Sequence, residues 1–200
     1  MKQCRFPFLS LVCSRVAAAL CGCSQAPSDQ IAPSVGGSVS AQLSQSFSWQ
    51  GLSLRYPSDY IITDQEYDGK TYDFCCEIDG NDTSRCHFNI HKDKAWKAFP
   101  RVLSDGELIN ILKKGIESSC DSLRNIDVYS ELHFGRIEST TSGPYPSVTC
   151  AFSAKLLGIS LSGKTIALVG GDKMVSVMLV AETRAHMQTL LAIAESIRLE

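Results

Sequence analysis

Apolar and polar residues alternate in short runs along most of the chain after residue 46, which is typical of β-strands joined by tight turns. Phe47–Tyr56 alternates in this way until a proline stops it, and Tyr60–Thr63 predicts a second short strand. Thr71–Ile78 and Ser84–His91 flank a segment of turn-forming residues, and this arrangement predicts a β-hairpin.

The alternation within that hairpin also predicts its register, because a slip of one residue in one strand would pair apolar positions with polar ones. One face of the hairpin is then nearly all apolar and the other nearly all polar. The predicted opposite pairs include Cys76 with Cys86 on the apolar face, and Cys75 with His87 and Glu77 with Arg85 on the polar face.

Two segments instead repeat their apolar residues at helical spacing. Ser104 followed by Glu107 is typical of a helix start, and the apolar stripe Leu108–Ile116 predicts a helix that ends near Ser119. Arg184–Ile197 predicts a closing helix. Further strands are predicted at Asn125–Glu138, Ser147–Ile159, Lys164–Val169 and Met174–Ala181. Residues 47–200 are therefore expected to form one α+β domain, a mainly antiparallel β-sheet with two or more helices packed on it.

Residues 1–22 have the layout of a secretory signal peptide. Lys2 and Arg5 give a positive start, Phe6–Val12 is a short apolar run, and Val16–Leu20 continues it toward small residues. Arg15 interrupts the apolar region, and a charge there disfavours membrane insertion. A signal that is cut a few residues earlier without lipidation, or a helix that stays in the chain, are the alternatives.

The segment Leu20-Cys21-Gly22-Cys23 resembles the bacterial lipobox Leu-x-Gly-Cys, in which the final cysteine is lipidated and becomes the mature N-terminus. The resemblance implies a lipid on Cys23, because Cys21 directly follows Leu20 where a small residue is needed. Ser24 stands where an aspartate commonly retains lipoproteins in the inner membrane, so outer-membrane placement is favoured. The chain is expected in the bacterial cell envelope, attached to the membrane by its lipid anchor, with the domain in the periplasm.

Residues 23–46 are rich in Ser, Gln, Ala, Gly and Pro and show no sustained apolar period. Such a segment buries too little apolar surface to offset the entropy of ordering, so it is expected to act as a flexible tether. The formal net charge is −2, and it becomes −5 when Lys2, Arg5 and Arg15 leave with the first 22 residues. Without clustered Lys and Arg, no nucleic-acid partner is expected.

The order of elements after the tether resembles the PsbP-like fold. The features that carry the resemblance are a strand Gly51–Tyr56 ending in Pro57, strand pairs, a middle helix, and a last strand that runs into a helix ending at Glu195–Arg198. The resemblance spans about residues 48–200 and is one of pattern. DcrB-type bacterial lipoproteins share this fold, which implies a central antiparallel sheet covered by helices. It transfers no catalytic residue, since the fold hosts binding and accessory proteins.

Nine cysteines are many for this length, and four of them belong to the signal and the lipidation site. The remainder are Cys75, Cys76, Cys86, Cys120 and Cys150. In an oxidising compartment this odd number allows two disulfides and one free thiol. The predicted opposition of Cys76 and Cys86 makes them one candidate pair, and Cys120 with Cys150 is the other. The alternative is that the buried thiols are small core residues.

A metal-binding or thiol-redox function is the alternative to a simple binding module. Cys75 and His87 are predicted to face each other, and a thiolate beside an imidazole binds zinc or copper. A structural zinc site needs four ligands, however, and the spacing here is not a recognised one. An exposed thiol beside a polar histidine is therefore the preferred interpretation, and no cofactor is expected.

Enzyme signatures are absent from the sequence, which contains no G-x-S-x-G, H-E-x-x-H, P-loop or G-x-G-x-x-G motif. A hydrolase would have to join His87, His133 or His186 to a nucleophile, and nothing in the sequence sets such groups in order. We therefore expect a non-enzymatic cell-envelope lipoprotein that serves as a binding or accessory module. Its expected partners are the membrane and an envelope protein or small ligand.

Overall fold

Ten strands and three helices follow the apolar pattern in the computed structural model, which describes residues 42–67, 74–80 and 83–200 without the side chains of residues 97 and 100–102. The elements are β1 (Gln45–Trp49), β2 (Leu52–Tyr56), β3 (Ile61–Glu66), β4 (Phe74–Asp79), β5 (Arg85–Lys92), α1 (Lys94–Val102), α2 (Asp105–Arg124), β6 (Tyr129–Ser142), β7 (Tyr145–Leu156), β8 (Ile159–Gly170), β9 (Lys173–Ala181), α3 (Arg184–Glu195) and β10 (Arg198–Leu199). The predicted signal peptide, Cys23 and most of the predicted tether lie outside the described residues.

The strands form two antiparallel sheets. A seven-stranded sheet has the order β3-β4-β5-β9-β8-β7-β6, and a three-stranded sheet has the order β1-β2-β10. Strands β6 to β9 follow one another as a meander, and each pairs with the next along the chain. The predicted α+β class with a mainly antiparallel sheet is confirmed.

Several predicted boundaries are wrong, and tight turns account for two of them. The predicted strand Phe47–Tyr56 is a hairpin, because Gln50 and Gly51 take positive φ angles of 40° and 78° that reverse the chain. The predicted strand Ser147–Ile159 is likewise divided by a turn at Leu157-Gly158. The helix predicted to end near Ser119 continues as α2 to Arg124.

Helix α1 had no counterpart in the sequence prediction. It begins after Asp93, whose carboxylate accepts a hydrogen bond of 2.8 Å from the backbone N–H of Ala95. Helix α2 begins with a capping box, as Ser104 and Glu107 predicted: the Glu107 carboxylate accepts from the Ser104 N–H at 2.8 Å. None of the described helices is long and apolar enough to cross a lipid bilayer.

The main core lies between the large sheet on one side and α3 with the small sheet on the other. Every second residue of β4, β5, β8 and β9 points into it. Its buried members include Leu54, Ile78, Phe88, Leu168, Val177, Leu179, Leu190 and Ile193. Because these strands carry apolar residues at every second position, the face from β4 to β8 is apolar, and α3 and the small sheet cover it.

A second, smaller core lies on the opposite face of the sheet, where α2 packs against β6, β7 and β8. Its buried members are Leu108, Leu112, Ile116 and Cys120 from the helix and Val148, Cys150, Ala167 and Val169 from the sheet. Helix α1 contributes Trp96 and Phe99, whose rings meet edge to face with centroids 5.2 Å apart. This face is therefore apolar over β6–β8.

A buried lysine connects the two sheets near the β8–β9 turn. Lys173 is only 2% exposed, and its Nζ donates to the Asp172 carboxylate and to the Glu200 carbonyl oxygen, each at 2.8 Å. The hydrogen bond from Lys173 lowers the pKa of Asp172. The Glu200 N–H in turn donates to the Gly51 carbonyl at 2.7 Å, so the end of β10, the β1–β2 turn and β9 are held together.

A glycine of the large sheet and a glycine of α2 are predicted to respond to alanine in opposite directions. A Cβ at Gly163 would overlap the ring of Phe152 on the neighbouring strand, so Gly163→Ala is expected to lower the free energy of unfolding by about 1–3 kcal/mol. Gly115 in α2 has nothing within 4 Å of such a Cβ, and Gly115→Ala is expected to raise it by about 0.5–1 kcal/mol. Urea denaturation of both variants measures the two effects, and a neutral Gly163→Ala would contradict this packing.

Candidate functional site

The hairpin of β4 and β5 carries the residues that the sequence singled out. Its observed pairs place Cys76 opposite Phe88, Ile78 opposite Cys86 and Glu77 opposite His87. The predicted register is therefore wrong by a two-residue offset. Because side chains alternate with a period of two, this offset moves every partner but leaves every residue on its predicted face.

A salt bridge at the end of the hairpin accounts for the observed register. Arg85 lies directly opposite Asp79, and its Nε donates to the Asp79 carboxylate at 2.7 Å. The Gly80 N–H then donates to the Ser84 carbonyl at 2.9 Å. The pair next to the loop is therefore Asp79 with Arg85, each one residue later in the chain than the predicted end and start of the two strands. The opposite charges of these two residues are the sequence signal that could have shown the register.

All five cysteines in the described part of the chain are free thiols. Cys76 and Cys86 share the apolar face but are diagonal neighbours, so the direct opposition that made them a candidate pair is wrong. Cys120 of α2 and Cys150 of β7 lie together in the smaller core, and their thiols share a hydrogen bond. Burial raises the pKa of Cys120 to about 12. Oxidation of either pair stays a prediction.

Polar side chains of the hairpin form a connected cluster on the sheet face that α2 also covers, and we call it the β4–β5 polar cluster. Its members are Cys75, Glu77, Asp79, Arg85 and His87. The Cys75 Sγ lies 3.4 Å from His87 Nε2, and His87 Nδ1 lies 3.6 Å from the Glu77 carboxylate. Arg85 Nε lies 2.6 Å from the other Glu77 oxygen and donates its hydrogen bond to Asp79 at 2.7 Å. The structure thus places Cys75 and His87 in contact and adds three charged residues to them.

Glu77 is the central charge of this cluster, and it is only 7% exposed. Burial alone would raise its pKa, but the hydrogen bond from His87 and the charge of Arg85 outweigh burial and lower the pKa below its usual range. For the neighbouring Asp79, burial outweighs Arg85 and raises the pKa. The Arg85 guanidinium therefore contacts two carboxylates, and the pKa of Glu77 is lowered while that of Asp79 is raised.

The thiol of Cys75 is protonated at neutral pH. Burial, followed by the nearby Cys76, Glu66, Glu77 and Asp64 side chains, raises the pKa of Cys75 to about 12. The order Cys75, His87, Glu77 has the layout of a nucleophile, a base and an orienting carboxylate. A thiol attacks substrates and binds metals as the thiolate, however, and this environment opposes that form.

Cys75 and His87 are the two metal donors that the sequence predicted to face each other, and they are in contact. In the part of the chain that the structure describes, no group of three or more His, Cys, Asp and Glu side chains is arranged to hold a metal ion. A structural zinc site is closed by four ligands, so the donors in contact here are too few for one.

The histidines proposed for a hydrolase do not converge. His87 is on β5, whereas His133 is on β6 at the edge of the sheet, four strands along the strand order. His186 is on α3, which packs on the opposite face of the sheet. The structure therefore does not bring these three histidines to a shared site.

Comparison with known proteins supports the fold. No protein-family model matches the chain, and no curated protein matches it. Among solved structures, cyanobacterial PsbP (CyanoP) from Synechocystis sp. PCC 6803 matches with a TM-score of 0.50 and 14% identity, over 84% of this chain and 98% of that one. The chain therefore has a PsbP-like fold.

A protein from Bacteroides thetaiotaomicron VPI-5482 also matches, with a TM-score of 0.49 and 11% identity. The match covers 80% of this chain and 49% of that one, so the chain spans about half the length of the Bacteroides protein.

The raised pKa of Cys75 predicts a slow thiol. At pH 7.5 we expect iodoacetamide to alkylate Cys75 about a thousandfold more slowly in the folded protein than in urea, because only the thiolate attacks and its fraction falls tenfold for each unit by which the pKa rises. The rate in the folded protein should still be rising at pH 10. Tandem mass spectrometry resolves Cys75 from Cys76, and a rate that levels off below pH 9 would contradict the protonated thiol.

The lowered pKa of Glu77 predicts loss of stability in acid. The unfolded chain takes up this proton first, so the contribution of Glu77 is complete above the ordinary glutamate pKa and is lost as the pH falls through the folded value. Glu77→Gln is expected to cost about 1–3 kcal/mol at pH 7 and to flatten the decline between pH 6 and pH 3. Urea unfolding at both pH values measures this, with the exposed Glu138→Gln as control; equal slopes in both variants would contradict it.

Proposed function

We propose that the chain is a non-enzymatic lipoprotein of the bacterial cell envelope and that its PsbP-like domain is a binding or accessory module. In this proposal a lipid on Cys23 attaches the chain to the membrane. The predicted tether ends where β1 begins at Gln45, and it lets the domain contact an envelope protein or a small ligand at some distance from the membrane. The lipobox-like segment after an apolar run supports the anchor, and Ser24 after Cys23 favours the outer membrane over the inner one.

The closed β4–β5 polar cluster is the observation that carries the non-enzymatic part of the proposal. Glu77 and His87 are 7% and 8% exposed, and they bond to each other and to neighbours within the cluster. Cys75 is held as a thiol. A network whose charges are satisfied internally stabilises a sheet face and leaves little capacity for turning over a substrate.

Lipidation at Cys23 is testable by substitution of the two adjacent cysteines. In cells fed an alkyne analogue of palmitate, we expect the unmodified chain and Cys21→Ser to be labelled and to sediment with membranes. Cys23→Ser should lose the label because the lipobox requires its final cysteine. Click-labelled gels of the fractions measure both results. Equal labelling of Cys23→Ser, or loss in Cys21→Ser alone, would overturn the assignment.

The contact of Cys75 with His87 at 3.4 Å favours a second candidate function, a metal-binding or thiol-redox envelope protein. The neighbouring cysteines of β4 and β5 would belong to this candidate as well. One zinc or copper per purified chain, lost in Cys75→Ser but kept in Cys86→Ser, would establish it in place of the accessory module.

A further inference from the structure

The turn between β7 and β8 combines an unfavourable backbone with exposed apolar side chains. Leu156 pairs with Ile159, so the loop has two residues, Leu157 and Gly158. Their φ angles are +51° and +86°, which is the geometry of a type I′ turn. Both central positions of that turn favour Gly, Asn or Asp, and a leucine there is strained by its Cβ.

Contacts with residues 42–67, 74–80 and 83–200, which the structure describes, do not explain the leucine. Leu157 is 67% exposed, and Ile159 on the other side of the turn is 38% exposed. An asparagine at position 157 would fit the backbone better and would leave less apolar surface in water. A strained residue that leaves most of its apolar side chain exposed among the described residues indicates a surface outside the domain.

The charges around this tip favour a lipid surface. From residue 145 to residue 170 the only charged residues are Lys155 and Lys164, although the chain as a whole is acidic. Lys155 Nζ pairs with the Glu131 carboxylate at 2.8 Å on the neighbouring strand. The tip itself, residues 156–163, carries no charge. The hairpin itself carries no negative charge, and the exposed Glu131 beside it is paired with Lys155, so the tip can enter a headgroup layer without burying an unpaired charge.

We propose that the β7–β8 tip, through Leu157 and Ile159, inserts into the surface of the bilayer to which the chain is anchored. The inference rests on the proposed function, because the lipid on Cys23 places the bilayer within reach of the domain. A tether of the kind that the sequence predicts between Cys23 and Gln45 would have a root-mean-square span of roughly 25 Å. At that distance the bilayer is the apolar surface of highest effective concentration.

The tip is a second contact that depends on the anchor. Two partly exposed side chains are too little to hold a domain on a membrane, whereas one lipid group plus a second weak signal gives stable attachment. The consequence is orientation: the β7–β8 end of the large sheet faces the bilayer. The opposite end, with the β8–β9 turn at Gly171-Asp172, faces away from it.

Tryptophan quenching by brominated lipid tests the insertion directly. The mature lipidated chain is reconstituted into phosphatidylethanolamine–phosphatidylglycerol vesicles whose acyl chains carry bromine. A tryptophan placed by Ile159→Trp is expected to be quenched beyond the level of the parent chain, which contributes Trp49 and Trp96. Ser139→Trp, an exposed position on β6, is the control and should show no added quenching. Equal signals at positions 139 and 159 would overturn the proposal.

Leu157→Asn separates the strain from the docking. The variant is expected to melt at a temperature roughly 2–5 °C higher, because asparagine accepts the left-handed backbone. In the Ile159→Trp background it should also reduce the quenching, because the apolar side chain is gone. An unchanged melting temperature would remove the strain argument. Undiminished quenching would remove Leu157 from the contact.

The remaining outcomes separate this inference from the proposed function. A chain that carries no lipid on Cys23, shown by its mass, contradicts the proposed function before any vesicle is used. A lipidated chain without quenching at position 159 contradicts only the insertion. If such a chain loses a co-purified protein on Leu157→Asn, the tip binds that protein and the bilayer contact is wrong.

Discussion

The large sheet has two faces, and only one of them carries apolar side chains across all the inner strands. On the main-core face, alternate residues of β4, β5, β8 and β9 meet α3 and the small sheet. On the other face α2 packs over the apolar residues of β6–β8, and Met174 of β9 packs at their margin. Strands β4 and β5 therefore present polar side chains on that face, and their charges have to be satisfied by one another. The β4–β5 polar cluster follows from this division.

Much of this arrangement is readable from the sequence because it depends on periodicity. The period of two predicted which residues of the hairpin face the core, and the capping signal at Ser104 with Glu107 predicted the start of α2. These features persist because burial of an apolar face outweighs local preferences. Shifting one strand by two residues leaves every side chain on the same face, however. The alternation therefore predicted the faces of Cys76 and Cys86 but not the residues opposite them.

The features that the sequence did not predict depend on single residues in unusual settings. Leu157-Gly158 turns the chain although leucine is a poor turn residue, and α1 begins at a cap on Asp93 without a long apolar stripe. The Glu77–His87 contact was missed because it requires the correct register. The prediction of a lipid on Cys23 depends on the four residues Leu20-Cys21-Gly22-Cys23 and the apolar run before them, which lie outside the described residues.

A thiol beside an imidazole and a carboxylate looks reactive when only residue types are compared. Burial and surrounding carboxylates reverse that impression, since they hold Cys75 protonated and leave Arg85 balanced between Glu77 and Asp79. The same low-dielectric setting that makes such a network costly to break makes it rigid. We infer that the cluster supports the shape of the domain and that recognition occurs on other surfaces.

Quantitative co-purification from detergent-solubilised envelope distinguishes a binding module from a protein whose function lies in the β4–β5 polar cluster. A binding module predicts that the tagged, intact chain recovers one partner in a constant ratio and that Cys75→Ser recovers it in the same ratio. Cys23→Ser should recover less, because the chain is no longer held at the membrane. Loss of the partner with Cys75→Ser, while urea denaturation shows the variant to be as stable as the parent, would contradict the account and make the polar cluster the functional centre.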